Sequence, residues 1–80
     1  MRSKPARRKI LVIDDERDLR EVLTEVLEKA GYQAISAANG ADGVRLNERE
    51  NPDIIVLDLR MPGMDGIETL RRIREQDSEV

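Results

Sequence analysis

The chain has 80 residues and a mass of 9.1 kDa, one small domain at most, which buries only about 60% of the surface its unfolded chain exposes. It has no Cys and no His, which excludes disulfides, thiolate metal sites, imidazole ligands and the usual general base, and its only aromatic residue, Tyr32, argues against stacking of single-stranded nucleic acid. The net charge of -3 hides an asymmetry: residues 1–9 carry five basic groups and no acid, while the remainder carries 9 basic and 17 acidic side chains, a balance of -8 that argues against a DNA-binding surface on the folded body.

The basic start (Arg2, Lys4, Arg7, Arg8) reads as a flexible, solvated tail over residues 1–8. No long apolar core follows it, so it does not read as a signal peptide. No apolar run approaches the roughly 20 residues of a membrane helix. The expectation is a cytoplasmic protein without a membrane contact.

Residues 9–13, Lys9 to Ile13, form a short apolar, β-branched run suited to a strand buried on both faces. Asp14, Asp15 and Glu16 end it abruptly. Leu19, Val22, Leu23, Val26, Leu27 and Ala30 then lie on one face of an amphipathic helix. Glu16 with Arg20 and Glu25 with Lys29 are spaced as i,i+4 ion pairs on its other side. Gly31 stands where the helix needs a left-handed residue to close. Tyr32 to Ser36 reads as a second, weaker strand, and Asn39-Gly40 as a turn.

Residues 41–50 predict a second helix of poor quality: Gly43 weakens it, and Asn47 interrupts the apolar face of Val44. Asn51-Pro52 closes it. Ile54 to Leu57 form a third apolar strand, ended by Asp58. A loop over residues 59–64 leads to Asp65, placed to cap a third helix with Glu68 three positions on. Ile67, Leu70 and Ile73 give that helix its apolar face. The order β-α-β-α-β-α implies a parallel sheet with helices on its faces.

In such sheets ligands bind at the carboxyl ends of the strands. Two strands here end in acids, Asp14-Asp15 and Asp58. Taken singly, Asp15 reads as a helix cap, and Asp14 and Asp58 as ordinary solvated positions. If the two strands are neighbours, three carboxylates meet in one crevice and call for a cation. With no His or Cys, Mg2+ fits best, since it takes one or two carboxylates, keeps waters and favours sites shared with phosphate. No Gly-rich phosphate loop is present, so this is neither a dinucleotide-binding site nor a P-loop.

Three stretches, Ile10 to Glu16, Pro52 to Asp58 and Leu59 to Gly66, resemble the receiver domain of bacterial two-component response regulators. The last is the most specific: an acid, then Pro four positions later (Pro62) and Gly eight later (Gly66). The resemblance runs from about Lys9 to the end, dividing the chain into the tail and a partial receiver domain, 9–80. It implies an α/β, flavodoxin-like, three-layer fold with strand order 2-1-3, lacking the fourth and fifth strand-helix units. It implies that Asp58 is the phosphoacceptor and that Mg2+ is held by Asp14, Asp15, Asp58 and the backbone carbonyl of Arg60. Pro62 and Gly66 then shape the loop and the turn into the helix. The implied function is to accept a phosphoryl group from a sensor histidine kinase or phosphotransfer protein, without being an enzyme.

A full receiver ends its fourth strand in Ser or Thr and its fifth in Lys, and no residue here is assigned to either role. The expected site is therefore impaired, and the third strand becomes an exposed edge prone to self-association. A second reading is an interaction module of receiver ancestry that works without phosphorylation. A Mg2+-dependent phosphohydrolase ranks below both, for want of a general base.

Overall fold

The computed structural model describes residues 8–58 and 66–76. Strands β1 (Lys9–Ile13), β2 (Gln33–Ala37) and β3 (Ile54–Leu57) alternate with helices α1 (Arg17–Lys29), α2 (Gly40–Glu50) and α3 (Gly66–Gln76). The strands form one parallel sheet in the order β2-β1-β3, with Ile13 in register with Ala37 on one side and Leu57 on the other. This is the flavodoxin-like arrangement expected from the sequence. The tail residues 1–7, and the loop that includes Arg60, Pro62 and the expected cap Asp65, lie outside the described residues.

Local chemistry sets the element ends. At the end of α1, Gly31 takes φ 100°, Gly31 N–H bonds to Glu28 O at 3.0 Å and Tyr32 N–H to Leu27 O at 3.0 Å, a Schellman closure built on the one residue type that adopts this backbone freely. Asn39 caps α2 by accepting the Asp42 N–H at 2.8 Å, which starts the helix at Gly40. Asn51 ends α2 in the left-handed region (φ 50°, ψ 59°), a conformation Asn tolerates better than most residues. On α1, Lys29 pairs with Glu25 at 3.4 Å as the spacing predicts, but Arg20 does not pair with Glu16. Its Nη1 turns back to the Asp14 carbonyl oxygen at 2.8 Å.

β1 is the centre of the molecule. Ile10, Leu11, Val12 and Ile13 are all buried, as a strand covered on both faces requires. Leu11 and Ile13 join Ala37, Ile35, Ile55 and Leu57 on one face of the sheet, against Val44 and Leu46 of α2 and Ile73 of α3. α1 lies on the opposite face over β2 and β1. The layers are thus α1, sheet, and α2 with α3. The α1 side is thin: no residue of α1 is fully buried, and Leu19, Val22 and Val26 stay exposed.

Two residues of α2 that the sequence marks as weaknesses hold the α2 side together. A Cβ at Gly43 would overlap the Ile13 Cδ1 methyl and lie 2.9 Å from Ile13 Cγ1. The missing side chain lets α2 seat directly on β1. Asn47 is only 6% exposed, and its Nδ2 donates to Gln76 Oε1 at 2.6 Å. Gln76 Nε2 in turn reaches the Val44 carbonyl at 3.2 Å. The break in the apolar face is a polar clasp between α2 and α3.

Candidate functional site

Because β1 and β3 are adjacent and parallel, their carboxyl ends open on the same edge of the sheet. The chain leaves β1 through Asp14 and β3 through Asp58. Asp58 N–H donates to the Ile13 carbonyl at 2.9 Å, and Asp14 N–H to the Ala37 carbonyl at 3.1 Å, so backbone bonds stitch all three strand ends together. Asp14 is 7% exposed, Asp15 is exposed and Asp58 is half-buried.

Asp14 is the structural pivot. Its Oδ1 accepts the Glu16 N–H at 2.8 Å, a side-chain-to-backbone turn that reverses the chain into α1. Its carbonyl accepts from Arg20. Asp15 does not cap the helix. Glu16 occupies the N-cap position and makes no side-chain cap bond, which leaves the Asp15 carboxylate available to the crevice.

One oxygen from each of Asp14, Asp15 and Asp58 lies within 4.8 Å of the others. Two unit charges 4 Å apart repel by roughly 1 kcal/mol in bulk water and about 4 kcal/mol at the effective dielectric near a protein surface. Three carboxylates held this close therefore favour a cation among them. The donor set is oxygen alone, which suits a hard ion such as Mg2+. A groove of about 320 Å3 runs beside the acids and is walled by Leu19 and Leu23 of α1 and Val56 of β3.

The three acids singled out from the sequence are thus brought together. The fourth expected ligand, the Arg60 carbonyl, lies outside the described residues. Arg20 is the neighbour that sequence reasoning misplaced. Its i,i+4 spacing from Glu16 hides the fact that its side chain is long enough to reach the Asp14 carbonyl. Among the described residues no helix is long and apolar enough to cross a membrane.

The profile of the response regulator receiver domain matches residues 10–80. Sporulation initiation phosphotransferase F of Bacillus subtilis is 44% identical over 72 residues, covering 90% of this chain and 58% of that protein. The alkaline phosphatase synthesis transcriptional regulatory protein PhoP of the same organism is 44% identical over 69 residues, 86% of this chain and 29% of that protein. Among solved structures, the response regulator TrrA of Thermotoga maritima, in complex with Mg(2+)-BeF, superposes with a TM-score of 0.84 at 38% identity, over 90% of this chain and 63% of that one. The chain therefore spans between about a third and two thirds of the length of these relatives. A strand order of 2-1-3, three acids gathered at the ends of β1 and β3, and a match over nearly its whole length show that the chain belongs to the response regulator receiver domain family of two-component systems.

Proposed function

We propose that the chain is a phosphoacceptor in a two-component phosphorelay, with Asp58 receiving the phosphoryl group from a phosphohistidine of a sensor kinase or phosphotransfer protein. The observation that carries this reading is the convergence of Asp14, Asp15 and Asp58 within 4.8 Å at the ends of two adjacent parallel strands. The unit that does this is residues 9–80, preceded by the basic tail of residues 1–8, in the cytoplasm. Its acidic body makes nucleic acid an unsuitable partner for this domain. Asp58 turns over no separate substrate, so the chain is not classed as an enzyme.

Asp14, Asp15, Asp58 and, by the family resemblance, the Arg60 carbonyl would hold Mg2+. When bound, Mg2+ offsets the negative charge on the transferred phosphoryl oxygens. The chain's own residues supply the rest. A carboxylate oxygen of Asp58 attacks phosphorus, the bond to the donor nitrogen breaks, and the imidazole leaves with the electron pair and takes a proton from solvent. Asp58 is anchored for this by its backbone bond to Ile13, and Asp14 by its bonds to Glu16 and Arg20.

Treatment with acetyl phosphate and Mg2+, borohydride trapping and mass spectrometry test the proposal. The expected adduct is on Asp58 alone, needs Mg2+, and falls strongly in Asp15→Ala. Labelling that persists in Asp58→Asn overturns the assignment.

A further inference from the structure

Asp15 is the least supported of the three acids in the crevice. It is exposed, and among the described residues its side chain makes no hydrogen bond. The position of its carboxylate therefore depends on the turn that carries it, residues 14 to 16. Three hydrogen bonds close a ring around this turn. Glu16 N–H donates to Asp14 Oδ1 at 2.8 Å, Arg20 N–H to the Glu16 carbonyl at 3.0 Å, and Arg20 Nη1 to the Asp14 carbonyl at 2.8 Å. Arg20 supplies two of the three, and its side chain ties the first turn of α1 back to the end of β1.

The sheet leaves this place open for Arg20. Alternation along β1 turns the backbone of Ile13 to β3, where its carbonyl accepts from Asp58, and that of Asp14 to β2, where its N–H donates to Ala37. Continued parallel pairing would bring the Asn39 N–H to the Asp14 carbonyl. β2 ends at Ala37, however, and Asn39 is the N-cap of α2. The Asp14 carbonyl, on a residue only 7% exposed, is left to the half-buried Arg20. A buried carbonyl needs a donor, and a charged donor makes the stronger bond. Arg20 forms no ion pair with Glu16 or with any of the three acids, so it serves the turn as a donor to the backbone and not as a countercharge.

We propose that Arg20 is a positioning residue of the acidic site: its bond to the Asp14 carbonyl holds the turn that presents Asp14 and Asp15 to the cation. This rests on the reading of the crevice as a Mg2+ site given above. The two roles open to a guanidinium here differ in sign. As a bare charge it repels a divalent cation, and its loss tightens binding. As a positioning group it holds the ligands in place, and its loss weakens binding.

Mg2+ titrations of the full chain, followed through the amide resonances of Asp15 and Glu16, separate the two. Arg20→Met keeps the stem and the helix preference but removes both charge and donor. It should weaken Mg2+ binding roughly tenfold, as loss of a group behind a metal ligand does, although the site becomes more negative. Arg20→Lys, which keeps the charge and a donor, should recover most of that loss. Leu27→Ala, near the other end of α1, should lower stability to urea and leave the Mg2+ affinity of the folded chain unchanged, which separates positioning from a general weakening of the helix. Should Arg20→Met not melt cooperatively, Arg20→Leu is read by the same standard. No Mg2+ binding by the wild type overturns the site reading and this one with it. Mg2+ binding by the wild type with equal or tighter binding in Arg20→Met, no recovery in Arg20→Lys, or an equal loss in Leu27→Ala overturns the role of Arg20 alone.

Discussion

A methyl group at Gly43 tests whether local propensity or close packing decides a residue's worth. In an exposed helix interior, Gly→Ala gains about 1 kcal/mol. Here the new Cβ would overlap the Ile13 Cδ1 methyl and crowd its Cγ1 and Cγ2 at 2.9 and 3.2 Å, in one of the fully buried side chains. Overpacking of this kind costs roughly 1–3 kcal/mol. Gly43→Ala is therefore expected to destabilise by about 1 kcal/mol in urea unfolding, and Ile13→Val, which deletes the colliding Cδ1, should make the same change less harmful. A stabilised Gly43→Ala in the wild-type background contradicts this. The acids of the site were legible because the Asp14-Asp15 pair and Asp58 each follow an apolar run directly, a pattern that fixes them at strand ends whatever else the fold does. Gly43, Asn47 and Arg20 were not, because each takes its role from a partner 6 to 30 positions away that only the packed structure brings near.

At the scale of elements, α3 shows how charge supplements a short apolar face. It buries only Gly66, Thr69 and Ile73, while Ile67 and Leu70 remain exposed. Its first turn is tied down instead by Glu68, which accepts from Arg71 Nη2 at 2.6 Å and Arg72 Nε at 3.0 Å. Arg71 also reaches Glu75 at 2.7 Å. The hydrogen bonds from Arg71 first, then Arg72, lower the Glu68 carboxyl from its ordinary 4.5 to about 2. A carboxyl whose value is lower in the folded state contributes stability that is fully present above 4.5 and is lost as pH falls toward 2. NMR titration of the side-chain carboxyl should give a midpoint well below 4.5, and amide protection in α3 should fall across the same window. A midpoint near 4.5 shows that the arginines do not hold it in solution. The elements themselves were largely legible because the short continuous apolar runs Ile10 to Ile13 and Ile54 to Leu57 stand apart from the 3.6-residue pattern of α1. The start of α2 lies one residue before the expected 41 because Asn39 caps it and Gly40 is its first residue; its end at Glu50 agrees.

For the whole molecule, the strand order was legible through the family resemblance, but the uneven coverage of the two faces was not. The side with α2 and α3 holds the core, whereas α1 alone covers the other, and it packs over β2 and β1 rather than β3. Ile54 and Val56, which alternation puts on the α1 side, remain 43% and 41% exposed, and Leu19, Val22 and Val26 of α1 are also exposed. Among the described residues β3 is moreover an edge of the sheet, with one side unpaired. An unpaired edge beside exposed apolar side chains is a template for a second strand. Two copies joined edge to edge about a two-fold axis would cover both features at once. We therefore propose that the 80-residue chain self-associates through β3, and sedimentation should show its average mass rising with concentration. Ile55 is the wrong position at which to block this with Lys, because it packs against the buried cluster and a charge there would damage the fold. Val56→Lys places the charge on the exposed side instead, and should shift association to higher concentration while the chain still melts cooperatively. A cooperatively melting wild-type monomer at every concentration would show that three strands suffice and that the β3 edge needs no cover.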